Sequence, residues 1–128
     1  MTTVGVGVDV VDVERFTKML ARRPALEGRL FTERERRDTG SKPERLAARF
    51  AAKEAVLKAL GVGIGSAAWH AIEVRRDPSG APSIALHDLA RRLATTAGVG
   101  TLHVSLSHTD LTAMALVVAS STGEHDAR

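Results

Sequence analysis

A chain of 128 residues with 44% hydrophobic and 26% charged side chains, and no apolar run near the roughly 20 residues a membrane helix needs, reads as one soluble domain spanning 1–128. The absence of cysteine excludes disulfides, thiolate nucleophiles and cysteine-based metal sites, and makes the cytoplasm the expected compartment. The net charge is only +3, but 11 of the 18 Lys and Arg fall within residues 1–50, and with three Phe, one Trp and no Tyr there are too few aromatics for a base-stacking platform.

Val4 to Val11 alternates, with Val4, Val6, Val8 and Val10 on one face and Gly5, Gly7, Asp9 and Val11 on the other, the period of a half-buried strand. It follows Met1-Thr2-Thr3 directly and reads as structure, not as a secretory signal. Asp12 is placed to cap a helix whose stripe is Val13, Phe16, Met19 and Leu20, with Arg15, Lys18 and Arg22 outward. That basic edge is either a solvated surface balanced by Glu27, Glu33, Glu35, Asp38 and Glu44, or a docking surface for an acidic partner.

Thr32-Glu33-Arg34-Glu35 and Ser41-Lys42-Pro43-Glu44 both have the capping-box pattern, predicting a helix from near Glu33 and a longer one from near Lys42 to Leu60, stopped by Gly61. A strand over 70–76, a turn at Asp77-Pro78-Ser79-Gly80 and a strand at 83–86 form a hairpin. Residues 87–97 follow the helical period with Leu89 and Leu93 inward, and Gly98-Val99-Gly100 ends that helix. Leu102–His108 and Thr112–Ala119 are strands joined through Thr109-Asp110-Leu111, and 120–128 has no period and is expected to be disordered. The fold class is α/β (α+β), a small antiparallel sheet packed on one long helix.

Asp9 is out of place among Val and Gly: a carboxylate there must be hydrogen-bonded, paired with a cation or bound to metal, or else cap the next helix. Glu54 and Lys58, four apart, suit an ordinary surface ion pair. The run Arg49-Phe50-Ala51-Ala52-Lys53-Glu54-Ala55-Val56-Leu57-Lys58 sets charged groups among alanines with little bulk, so Glu54 has room to be partly buried and to bridge to a metal.

Three segments, Gly5-Val6-Gly7-Val8-Asp9, Arg49-Phe50-Ala51-Ala52-Lys53-Glu54-Ala55 with Lys58 and Gly61, and Val104-Ser105-Leu106-Ser107-His108-Thr109, resemble in order the signatures of holo-(acyl carrier protein) synthases. The resemblance spans residues 5 to 109 and extends to Phe31-Thr32-Glu33-Arg34-Glu35 and Gly80-Ala81-Pro82. It implies transfer of 4'-phosphopantetheine from coenzyme A to a carrier-protein serine, releasing adenosine 3',5'-bisphosphate. Asp9 and Glu54 would then be Mg²⁺ ligands, with Glu54 or a metal-bound water as base and Lys58 at the departing phosphate. Arg49, Lys58, Gly61, Gly63, His108 and Thr109 would bind coenzyme A. The family docks its acidic carrier on the first helix, which implies contacts at Arg15, Met19, Arg22 and Arg29, and it assembles as a homotrimer with sites between subunits.

Other constellations do not hold up. Ser107, His108 and Asp110 are near-adjacent on a strand and cannot chain as a hydrolase triad. The five histidines lack zinc-ligand spacing, and the glycines fit neither a P-loop nor a dinucleotide fingerprint. The alternative of another class is a non-catalytic basic module for an acidic protein or nucleic acid, with Asp9, Glu54 and Lys58 as a structural ion-pair network.

Overall fold

The computed structural model describes residues 1–122. Strand β1 (Thr3–Asp12) leads into three short helices, α1 (Val13–Arg22), α2 (Ala25–Leu30) and α3 (Glu33–Thr39), and then the long helix α4 (Pro43–Ala59). A 3-10 turn (Trp69–Ala71) precedes the hairpin β2 (Ile72–Arg76) and β3 (Pro82–Leu86). Helix α5 (Asp88–Thr96) and a second hairpin, β4 (Thr101–His108) and β5 (Thr112–Ser120), complete the chain. The strands make two antiparallel sheets: three strands in the order β1-β5-β4, and the separate pair β2-β3.

The buried face of β1 is the glycine face. A methyl group built on Gly5 would overlap the backbone carbonyl of Ala59, and one on Gly7 that of Ala55, so the strand meets α4 backbone to backbone. Helix α4 answers with alanines: Ala47, Ala48, Ala51, Ala52, Ala55 and Ala59 are all buried. Ala113, Ala115, Val117 and Ala119 of β5 supply the neighbouring inner face. The opposite face of β1 is left open, with Val4, Val6, Val8 and Val10 46–57% exposed beside exposed Met114 and Leu116.

All four aromatic side chains join one packed row. Phe16 lies 6.2 Å from Phe31 and 5.5 Å from Phe50, and Phe50 lies 5.2 Å from Trp69. They tie α1, the α2–α3 junction and the 3-10 turn to α4, which uses up the aromatics as packing groups.

Two caps are as predicted. The Asp12 carboxylate accepts from the Arg15 amide at 2.8 Å, and Thr32 and Glu35 form a reciprocal capping box on α3. The second box is absent. Ser41 takes a left-handed φ of 53° after Gly40, its hydroxyl donates to Glu27, and Lys42 becomes the N-cap of α4 without a side-chain bond. At the other end Gly61, φ 72°, terminates α4 as its sequence position suggested.

Three further details differ from the sequence expectation. Residues 69–71 coil instead of extending, because the Lys53 ammonium gathers the carbonyls of Trp69 and Ile72, at 2.9 and 2.6 Å, and bends the chain around itself. In α5 the inward residues are Ala90 and Ala94 with Leu93 half-buried, while Leu89 is 42% exposed: the close packing of this short helix uses its small side chains. Ser120, expected in the disordered tail, pairs within β5, and Ser121 donates to the Thr2 carbonyl. The rest of that expectation, from 123 onward, lies outside the described residues.

Candidate active site

Asp9 lies on the glycine face of β1, so its carboxylate points at α4, and its side chain is only 15% exposed. It does not cap the following helix, a role taken by Asp12. Lys58 reaches across from α4 to donate to Asp9 Oδ1 at 3.1 Å and to the Val8 carbonyl at 2.9 Å. The surface pair Glu54–Lys58 suggested by spacing is thus redirected, with Lys58 held on Asp9 by the strand.

Glu54 is half-buried and shares a hydrogen bond with Asp9. Burial first, then that bond and the Asp9 charge, push its carboxyl up to about 7, with Lys58 opposing. Two carboxyls therefore face one ammonium, and near neutral pH the second carboxyl gives up its proton with difficulty. Such a pair is poised for a cation or for a proton transfer.

A second group lies apart from the first. Arg49 is buried on α4 and donates to the Val74 carbonyl at 2.6 Å. Burial lowers its pKa, opposed by Glu35 and Asp38. With Arg45, Arg75, Arg76 and His108 it lines a cleft of about 330 Å³ closed by Gly80 and Pro82. Four guanidinium groups and an imidazole make this a cleft for a polyanion. None of Asp9, Glu54 and Lys58 lines it.

The sequence model of the 4'-phosphopantetheinyl transferase superfamily matches residues 5–115. The chain belongs to that superfamily. It is 50% identical over 119 residues to the holo-[acyl-carrier-protein] synthase of Salinispora arenicola, covering 91% of this chain and 97% of the relative. Among solved structures it is similar to the holo-[acyl-carrier-protein] synthase of Neisseria meningitidis, with 31% identity, a TM-score of 0.85 and coverage of 94% and 100% of the two chains. The Helicobacter pylori synthase, solved in complex with coenzyme A, is 32% identical with a TM-score of 0.82, covering 90% of this chain and 99% of that one.

The remaining predicted residues of this transferase-family chain fall into three places. Gly61 and Gly63 follow α4, and the Gly61 amide donates to the Lys58 carbonyl at 3.0 Å, closing the helix. Thr109 builds the β4–β5 turn, its hydroxyl accepting from the Leu111 and Thr112 amides at 3.2 and 3.1 Å. Arg15, Met19 and Arg22 share a concave surface of about 700 Å³ on α1 with Lys18 and Arg23, whereas Arg29 sits exposed on α2 outside it.

The transferase fold also uses residues that sequence reasoning did not single out. Lys53 is fully buried and pairs with Glu35 at 2.8 Å, while Glu35 also accepts from the Thr32 and Val74 amides. Arg45, Arg75 and Arg76 complete the cleft. The available signal was the arginine pair ending β2, immediately before a tight turn. Glu73, buried under Thr32, Arg75 and His87, is held below its usual pKa by those three hydrogen bonds, which outweigh its burial.

Proposed function

We propose that this chain transfers 4'-phosphopantetheine from coenzyme A to a serine of an apo acyl carrier protein, with Mg²⁺ held at Asp9 and Glu54, as a cytoplasmic homotrimer. The observation that carries the reading is the Asp9–Glu54 carboxyl pair under Lys58 in a chain that matches the phosphopantetheinyl transferase superfamily over residues 5–115. The synthase names of the relatives and the coenzyme A complex of the Helicobacter pylori protein support the substrate pair.

In this reading the serine Oγ bonds to the β-phosphorus of coenzyme A, the bond to the bridging oxygen breaks, and adenosine 3',5'-bisphosphate leaves. Glu54, or a water held beside it, would take the serine proton. Lys58 places a positive charge where the leaving phosphate gathers negative charge. Arg49 and His108, with Arg45, Arg75 and Arg76, hold the nucleotide phosphates, and Thr109 orients the turn that carries His108.

The donor set fits the metal. Mg²⁺ takes hard oxygen ligands, usually one or two carboxylates, and keeps the rest of its shell for water and phosphate. Asp9 and Glu54 supply two carboxylates, and no cluster of three or more His, Cys, Asp or Glu exists among the described residues. When bound, the ion would offset the charge of the diphosphate.

Trimer assembly is supported by two features of the single chain. The carboxyl pair and the arginine cleft do not share a lining residue, as expected where one protomer's pair works with its neighbour's cleft. The valine face of β1 is an open apolar surface beside Met114 and Leu116, of the kind that a second copy covers. The rival reading, a non-catalytic module with a structural ion-pair network, fits less well. The structural pair here is Lys53–Glu35, and the Asp9 group has one carboxyl too many for a balanced network.

Intact-mass analysis of an apo carrier protein incubated with coenzyme A, Mg²⁺ and this protein tests the activity. Addition of one phosphopantetheine is expected, and its absence across several carriers overturns the reading.

A further inference from the structure

The basic face of α1 is short of apolar contact area. Glu14, Arg15, Lys18, Arg22 and Arg23 are exposed there, and the one apolar group in its concavity, Met19, is half-buried. Charges of this kind hasten encounter with an acidic partner and fix its orientation, whereas a lasting complex also needs apolar area removed from water. The helix alone offers little.

Leu111 lies beside it. At 70% exposure no large hydrophobic side chain among the described residues is more exposed, and it stands at the tip of the β4–β5 hairpin. A lone exposed leucine needs no explanation, but this one is held firmly in a particular place. The Thr109 amide donates to the Thr112 carbonyl at 2.8 Å, and the Thr109 hydroxyl accepts from the Leu111 amide. The Leu111 carbonyl accepts from the amide of Val13, the first residue of α1, at 3.0 Å. Leu111 is therefore one hydrogen bond from the start of the basic helix. Three residues earlier in the same hairpin, His108 lines the arginine cleft.

We infer that Leu111 is an apolar anchor for the acyl carrier protein, so that the docking surface runs from α1 across the hairpin tip toward the nucleotide cleft. The inference rests on the transferase reading above. The partner it fits carries negative charge opposite Arg15 and Arg22 and an apolar side chain opposite Leu111. A tip in contact with the carrier also links docking to the strand end that bears His108, and so brings the serine and the coenzyme together over one hairpin.

The test is steady-state transfer with carrier and coenzyme A varied separately, in Leu111→Ser, Leu111→Met and Arg15→Glu. Leu111→Ser is expected to raise KM for the carrier roughly fivefold to tenfold, the effect of one leucine no longer buried at an interface. It leaves kcat, KM for coenzyme A and the melting temperature unchanged, and Leu111→Met restores carrier KM. Added salt should shrink the Arg15→Glu defect relative to wild type but leave that of Leu111→Ser, because only the first is electrostatic. If Leu111→Ser keeps a carrier KM within about twofold of wild type while Arg15→Glu does not, the anchor is wrong and docking on α1 stands. An equal rise in KM for coenzyme A also overturns it, since Leu111 would then act through the cleft. If wild type transfers nothing, the inference falls together with the transferase reading.

Discussion

Replacing Glu54 with Gln isolates the strain of the carboxyl pair. The folded protein holds the Glu54 proton up to about pH 7, whereas the unfolded chain releases it near 4.5, so across that window the folded state binds more protons and each step upward in pH costs stability. A shift of that size corresponds to about 3 kcal/mol for a group shielded from water, and about 1–2 kcal/mol once the partial exposure of Glu54 is allowed for. Glutamine fills the same volume and titrates nothing. Glu54→Gln should therefore match wild type below pH 4.5 and exceed it by about 1–2 kcal/mol above pH 7.5. Urea unfolding at fixed protein concentration measures this, with the single tryptophan, Trp69 packed against Phe50, as the fluorescent reporter. At pH 8, Mg²⁺ should then stabilise wild type by binding to the folded state and leave Glu54→Gln nearly unaffected. Parallel stability curves for the two proteins from pH 4 to 8 would refute the account of the pair, because the substitution removes the carboxyl whose raised titration it rests on.

Three other outcomes follow from the packing. Gly7→Ala forces a methyl into the Ala55 carbonyl and should cost about 3 kcal/mol, seen as a lower urea midpoint, with transfer lost as Asp9 is pushed from Glu54. Lys53→Met leaves the Glu35 carboxylate buried with only backbone donors and should cost about 3–5 kcal/mol, whereas pairing it with Glu35→Leu should recover part of the loss in a double-mutant cycle. Val8→Asp puts a charge in the middle of the open valine face: sedimentation should show a monomer with no transferase activity, and an active monomer would remove the trimer from the proposal.

The strand β1 was legible from its alternation, but periodicity names two faces without saying which is buried. Hydropathy favours the valines as the core side, yet the structure buries the glycines, because α4 offers a backbone surface of alanines that only a strand without side chains can approach. The Thr32 capping box was readable because every partner lies within three residues. The box at Ser41 failed because Glu27, 14 residues upstream, competes for its hydroxyl. Lys53 looked like any helical lysine, since its burial depends on Glu35, Trp69 and Ile72, which no local pattern connects to it. Asp9 and Glu54, on a strand and a helix 45 positions apart, were linked by resemblance to known signatures, and the fold then supplied the contact that spacing did not.

The opposite fates of the adjacent residues Lys53 and Glu54 follow from helix geometry. Each residue turns α4 by about 100°, so Arg49 and Lys53, four apart, share one side, and Glu54 and Lys58 share another. The first side meets β2: Arg49 bonds the Val74 carbonyl and Lys53 bonds Ile72. The second side meets β1, where Glu54 and Lys58 both engage Asp9. A helix packed mostly through alanines has few bulky side chains to fix its rotation about its own axis. The buried Lys53 ammonium, with three acceptors at 2.6–2.9 Å, sets that rotation from one side, and the carboxyl pair is aimed from the other as a result. On the proposed transferase reading, stability and chemistry would be coupled through the orientation of this one helix, with Lys53 positioning the glutamate beside it.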